Sequence, residues 1–297
     1  MKAGFCECGA WLLLVSTLVW GCGPGRKNEI VVGSKNFAES ALLGEILAQQ
    51  IENKTHLPVV RQFYLAGSFI CQQAMLAGRI DMYAEYTGTA LTAILRDPIE
   101  RDPTAVYERV RSEYEKRFQF RVMPSLGFNN TFAIVVRGED ARRLGLRTIS
   151  DAARYTPQWR AGFGYEFMER PDGYEGMARV YGLRFKEAPV ILDLGLLYRS
   201  LLDKNVDLVA GNSTDGLLSA RDLKMLQDDK HYFPPYEAVP VVREEAIALH
   251  PEIAVAIQEL AGKISDEEMQ KMNYEVVGQQ RQASVVAKEF LQAKGLE

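Results

Sequence analysis

The chain has 297 residues, enough for one large domain or two moderate ones. Its 47% apolar and 25% charged composition is that of a globular protein and excludes a disordered one. The formal charge of −4, with no block of Lys or Arg, excludes nucleic acid as a partner, because the counterion release that drives such binding has no basic surface to act through.

The N-terminus reads as a targeting segment. Lys2 is followed by an apolar run from Ala10 to Trp20, broken only by Ser16 and Thr17. Such a run is too short to span a bilayer and suits the core of a secretory signal. Gly21-Cys22 at its end resembles a bacterial lipoprotein processing site. The expectation is a signal peptide over 1–21, lipidation of Cys22, and an anchored linker over 22–28. The mature protein would then stand in the periplasm or on the outer face of the cell membrane. A cleaved signal without lipid is the other reading. Cys6 and Cys8 leave with the signal, so Cys71 remains as a lone, buried thiol, and neither a disulfide within the domain nor a cysteine metal site is expected.

From Glu29 the pattern alternates strand and helix. Ile30–Val32 reads as a buried strand ending at Gly33-Ser34-Lys35-Asn36-Phe37, and Leu42, Leu43, Ile46, Leu47 and Ile51 recur at helical spacing. A second strand starts at Pro58 and extends to Ser68; a helix with Ile70, Ala74, Met75 and Leu76 stops at Gly78. A third strand, Ile80–Ala84, leads into Glu85-Tyr86-Thr87-Gly88-Thr89. Three strands that each end in a small or polar turn before a helix predict a parallel sheet with Lys35, Ser68 and Tyr86 at one edge. Asp81 and Glu85 read as turn caps or surface ion pairs.

Asp102–Phe118 is expected as a surface helix, and Gly127–Asn130 as the crossover into a second domain that starts with the strand Thr131–Val136. That domain repeats the alternation, with strands near Arg160–Phe163, Val190–Leu192 and Val206–Ala210. Ala238–Val242 crosses back, and the last ~55 residues form helices that pack on the first domain. Two α/β lobes joined by two crossovers enclose a ligand cleft. The expected bounds are 29–130 plus 237–297 for lobe 1 and 131–236 for lobe 2.

Catalytic constellations are absent from the sequence. His56, His231 and His250 have neither metal-ligand nor triad spacing. Ser34 and Ser213 lack a G-x-S-x-G setting, and Gly33-Ser34-Lys35 lacks Walker spacing. No enzyme activity, metal or cofactor is expected, although an anchored hydrolase or transferase is the reading to test against.

Six motifs occur in order: Gly33-Ser34-Lys35-Asn36-Phe37, Glu85-Tyr86-Thr87-Gly88-Thr89, Gly127-Phe128-Asn129-Asn130-Thr131, Ser213-Thr214-Asp215-Gly216, Asp228-Asp229-Lys230 and Phe233-Pro234-Pro235-Tyr236. Together, over Ile30 to Leu296, they resemble the substrate-binding proteins of osmoprotectant ABC importers, which take up glycine betaine, choline, carnitine and related quaternary amines. The resemblance implies a two-lobed periplasmic-binding-protein (type II) fold. It also implies delivery of the solute to a permease with its ATPase subunit, by a monomer. A quaternary ammonium has no N–H to donate and is held by aromatic faces, at ~0.5–2 kcal/mol per ring; a ligand carboxylate wants Arg, Lys or hydroxyl donors.

Carried over by motif, the implied aromatic cage is Tyr86, Phe132 and Tyr236, with Asn212 where relatives have a tyrosine. Lys35, Thr89 and Arg170 match carboxylate-binding positions, and Ser68 is a further polar candidate. Asn212 in place of a ring implies a ligand with an additional hydrogen-bonding part, and ergothioneine fits that description. Core packing for the aromatic residues, a positive φ for Asn212 and solvated charges for Lys35 and Arg170 are the structural alternatives. A ligand-sensing lipoprotein on the same fold is the alternative to an importer subunit.

Overall fold

The computed structural model describes residues 29–297. The expected signal peptide, the linker and Cys22 lie outside the described residues. Two five-stranded mixed sheets with flanking helices form the two lobes of a type II periplasmic-binding-protein fold.

In chain order, the first lobe begins with β1 (Ile30–Gly33), α1 (Ala38–Thr55), β2 (Val59–Gln62), α2 (Ser68–Leu76) and β3 (Met82–Tyr86). A short helical turn α3 (Thr87–Thr89) widens into a π-helical segment over Ala90–Ile94, with Leu95 N–H bonded to Ala90 O. There follow α4 (Pro103–Phe118), capped by the Asp102 side chain, and β4 (Phe120–Val122). The second lobe comprises β5 (Phe132–Arg137), α5 (Gly138–Leu144), α6 (Ile149–Ala153), β6 (Ala161–Phe163), α7 (Tyr165–Glu169) and α8 (Tyr174–Tyr181). It continues with β7 (Val190–Ile191), α9 (Leu197–Leu202), β8 (Leu208–Asn212), α10 (Leu217–Ala220) and β9 (Leu223–Leu226). The chain returns through β10 (Ala238–Arg243) and closes with α11 (Glu244–Leu249), α12 (Glu252–Gln258), α13 (Asp266–Val277) and α14 (Ala283–Ala293).

The first sheet has the order β2-β1-β3-β10-β4 and the second β7-β6-β8-β5-β9. As expected, β1 pairs in parallel with both β2 and β3. β10 returns antiparallel to β3 and β4, which ties the C-terminal segment into the first sheet. α12, α13 and α14 pack on α1. Covered in this way, α1 buries Leu42, Leu43, Ile46, Leu47 and Ile51 completely.

The structure shifts three strands by two residues or more. The second strand stops at Gln62 rather than reaching Ser68: Tyr64 turns to φ 57° while its N–H bonds the Ser34 hydroxyl, so Ser68 opens α2 instead. The third strand starts at Met82, because the N–H groups of Arg79 and Ile80 fold back onto Ala74 O at the end of α2. Tyr86 is thereby the last strand residue. In the same way Asn205 and Val206 bond back to Ser200 O, and β8 runs from Leu208 to Asn212 instead of Val206–Ala210. Asn212 is therefore a strand residue in register with Phe132, not a positive-φ turn. The short elements β4, β9, α5, α7 and α10 carry too few residues for a periodicity to register.

Candidate functional site

A cavity of about 450 Å³ lies between the sheets, lined by residues from both lobes. Seven of the eight expected ligand residues line it: Lys35, Tyr86, Thr89, Phe132, Arg170, Asn212 and Tyr236. Strand ends place them there, since Lys35 follows β1, Tyr86 ends β3, Phe132 opens β5 and Asn212 ends β8. This is the crevice beyond the strand ends where α/β proteins hold ligands. Ser68 stands behind the wall, its hydroxyl accepting from Lys35 Nζ at 3.3 Å.

Both buried cations already have carboxylate partners. Lys35 Nζ lies 2.6 Å from Glu85 Oε1 and 4.3 Å from the centroid of the Tyr86 ring. The expectation of a surface or capping role for Glu85 is corrected: it is fully buried, and it also accepts from the Tyr83 hydroxyl and the Tyr86 N–H. Asp81, also buried, accepts from Val31 N–H and pairs with Arg243. Arg170 donates to both Asp172 oxygens, Nε at 2.9 Å and Nη2 at 2.6 Å. Its guanidinium carbon is 4.9 Å from the centroid of Phe132 and 5.7 Å from that of Tyr236. Burial works against the Arg170 charge, but the Asp172 carboxylate outweighs it and raises the pKa. Burial would likewise raise Asp172, and Arg170 reverses that, holding the carboxyl below its usual range. Neither cation is a solvated surface charge.

The rings form two groups in the cavity lining. Phe37 stacks on Tyr86 with centroids 6.4 Å apart; Phe132 meets Tyr236 and Phe167 edge-on at 5.6 and 4.7 Å. Tyr236 packs against the backbone of α3, where a Cβ on Gly88 would come within 2.6 Å of the ring and of Pro235 O. Only glycine permits that approach. The hydroxyls of Tyr86 and Tyr236 donate to Glu39 and Asp172. Burial, together with these carboxylates, pushes both phenol pKa values well above the usual one. They remain neutral donors.

A family model described as the substrate-binding domain of ABC-type glycine betaine transport systems matches residues 28–293. The chain belongs to this family. It is 37% identical over 300 residues to the carnitine transport binding protein OpuCC of Listeria monocytogenes, covering 98% of this chain and 97% of that one. It is 34% identical over 287 residues to the ergothioneine transport permease/ergothioneine binding protein EgtU of Helicobacter pylori, covering 96% of this chain and 51% of that protein. A crystal structure of a glycine betaine/carnitine/choline ABC transporter protein superposes with a TM-score of 0.75 at 35% identity, over 90% of this chain and 99% of that one. Membership of this family makes the chain the solute-binding part of an ABC-type transport system, working outside the cytoplasm.

Sequence reasoning did not single out four residues that this family member places in or directly behind the cavity wall. Phe37 stands inside a motif already noted, Asp172 two residues after Arg170, and Glu166 one turn before it. The carboxylate of Glu166 crosses the cleft to accept from Ser68 N–H at 2.7 Å, so close that a Cβ on Gly67 would lie 2.0 Å from it. Glu39, in the first turn of α1, had no signal beyond its position. Cys71 is buried as expected, and burial pushes its thiol pKa up to about 12.

Proposed function

We propose that this protein captures a quaternary-ammonium solute such as glycine betaine, choline or carnitine in the inter-lobe cavity and delivers it to an ABC permease and its ATPase. The observation that carries this reading is the pair of aromatic walls in the cavity, one made by Tyr86 and the other by Phe132 with Tyr236. Each wall already sits at cation–π distance from a buried side-chain cation. Such faces suit a positive charge that cannot donate a hydrogen bond.

Lys35, Arg170 and Thr89 serve a ligand carboxylate in this reading, with Ser68 steadying Lys35. Arg170 spends three of its five N–H groups on Asp172 and Thr89, which leaves two for a ligand. The lobes are taken as 29–130 plus 237–297 and 131–236, acting in a monomer. Signal cleavage before Cys22 and its lipidation would hold the protein at the membrane face. A globomycin-sensitive mass shift on Cys22 would support that anchoring, and an unmodified Cys22 in membrane-extracted protein would remove it.

Isothermal titration with glycine betaine, choline, carnitine and ergothioneine tests the class. Saturable heat with at least one is expected, and no heat with any of them would overturn it. Ergothioneine is the second reading. Asn212 favours it by lining the cavity with an amide directly across from Phe132, and so does the similarity to the Helicobacter pylori protein.

A further inference from the structure

Glu39 is a buried carboxylate with no cation among its hydrogen-bond partners in the described residues, and four side-chain donors from four separate segments converge on it. Oε1 accepts from the Tyr86 hydroxyl at 2.5 Å and from Asn130 Nδ2 at 2.8 Å. Oε2 accepts from Asn273 Nδ2 and from the Thr214 hydroxyl, both at 2.5 Å. Four donors use the whole accepting capacity of two carboxylate oxygens. Bonds of this kind, to a charged acceptor away from water, are the strong ones.

The origin of the donors gives the arrangement its meaning. Tyr86 ends β3 in the first lobe, and Asn130 lies in the first crossover. Thr214 follows β8 of the second lobe, and Asn273 belongs to α13, packed on α1. Asn273 Nδ2 also donates to Thr214 O at 2.9 Å, so Thr214 is gripped through both its hydroxyl and its carbonyl. Among the described residues the side-chain oxygens of Asn130 and Asn273 are buried without a hydrogen-bond partner, so the contacts that orient both amides are those of their nitrogens. Next to Thr214, Gly216 lies so close to α13 that a Cβ would sit 2.3 Å from Tyr274 N. This seam is one place where the second lobe bears on the first, apart from the contacts of Arg170 with Thr89 and Glu166 with Ser68.

We propose that Glu39 is the positioning residue of the binding site: one carboxylate fixes the angle between the lobes through Thr214 and the setting of the Tyr86 ring through its hydroxyl. The ligand-binding half of this inference rests on the quaternary-amine reading; the inter-lobe half does not. Coupling follows from the shared acceptor. A movement of the second lobe that withdraws Thr214 uncovers a lone pair on the group that holds Tyr86, and the ring loses part of its support.

Thr214→Val removes the inter-lobe donor without changing the side chain's shape or touching the cavity wall. Small-angle scattering of the ligand-free protein is expected to show a larger radius of gyration than wild type, with Thr214→Ser restoring it. In titrations with glycine betaine and carnitine as probes, Thr214→Val is expected to bind about tenfold more weakly, the loss of one strong hydrogen bond. Glu39→Gln sets an amide N–H against two donors and is expected to lose more in both measurements, or to fold poorly, in which case Thr214→Val still decides. Unchanged scattering and unchanged affinity in Thr214→Val would overturn the proposal. If neither probe binds the wild-type protein, the ligand reading fails while the scattering comparison still tests the pivot.

Discussion

Arg170 reaches across the cleft to Thr89, its Nη1 donating to the threonine hydroxyl at 2.8 Å. Two residues that sequence similarity assigns to the same ligand group are thus bonded to each other, one from each lobe. The contact falls on the helical turn that follows β3. Thr89 sits on α3 just before the backbone widens into the π-helical segment, a feature common at functional sites.

Arg170 carries structure as well as recognition. Removing one partner of a buried ion pair costs about 3–5 kcal/mol, because the other charge stays buried alone. Arg170→Ala is therefore expected to lower unfolding free energy by that order in urea, through the stranded Asp172. It should weaken both carnitine and choline, since Asp172 also holds the Tyr236 hydroxyl, and carnitine the more, through the lost partner of its carboxylate. A loss confined to carboxylate-bearing ligands, with native stability, would show that Arg170 serves the ligand alone.

The cage rings separate from their hydroxyls by substitution. Tyr86→Ala and Tyr236→Ala should each weaken quaternary-amine binding about tenfold or more, if a ring contributes ~1.4 kcal/mol. Tyr86→Phe keeps the face and deletes one donor to Glu39. It should bind better than Tyr86→Ala but more weakly than wild type, because the ring keeps its face and loses the bond to Glu39 that sets it, and it should lose ~1–3 kcal/mol of stability. Titration calorimetry and thermal melts read the two effects apart, and unchanged affinity in both alanine variants would remove the cage.

Asn212 stands opposite Phe132 in the ladder between β5 and β8. Asn212→Tyr adds a ring beside an existing one without asking the backbone to change. Glycine betaine affinity is expected to rise several-fold, by ~0.5–1.5 kcal/mol per added aromatic contact, and ergothioneine affinity to fall. Competition between the two ligands measures the switch; a change of the same sign for both would mean that Asn212 does not read the ligand's tail.

Asp215 predicts a pH dependence. Burial pushes its carboxyl up to about 6, although the Tyr198 hydroxyl and Asn212 N–H oppose the shift by donating to it. The folded state therefore holds this proton more tightly than the unfolded chain, whose value is near 3.8. Its contribution to stability is fully present below the unfolded value and is lost as pH rises through about 6. Urea unfolding between pH 4.5 and 7 should show that loss, and Asp215→Asn, which keeps an accepting oxygen for both donors, should flatten it. An equally steep profile in the variant would assign the slope to other groups.

The order of the longer strands and helices was legible in the sequence, because β-to-α turns are local signals, and the seven cavity residues through the motifs that carry the resemblance. Strand ends were less legible. The ends of β2, β3 and β8 depend on hydrogen bonds to Ser34, Ala74 and Ser200, and those partners are fixed only when the chain folds back. The same limit hid the ion pairs. Nothing near Lys35 in sequence announces Glu85, fifty residues on, yet adjacent parallel strands bring the two within 2.6 Å.

By itself, then, the sequence determined the class of protein and the chemistry on the cavity wall, since both lie in residue types at short spacing. Tertiary structure alone decided which charges are already neutralised, which residue stands behind the wall, and where the lobes are joined. Glu39 shows the reason most plainly. A carboxylate in the first turn of a helix is an ordinary residue until four distant segments deliver their donors to it, and a strand-by-strand reading contains no term for that meeting.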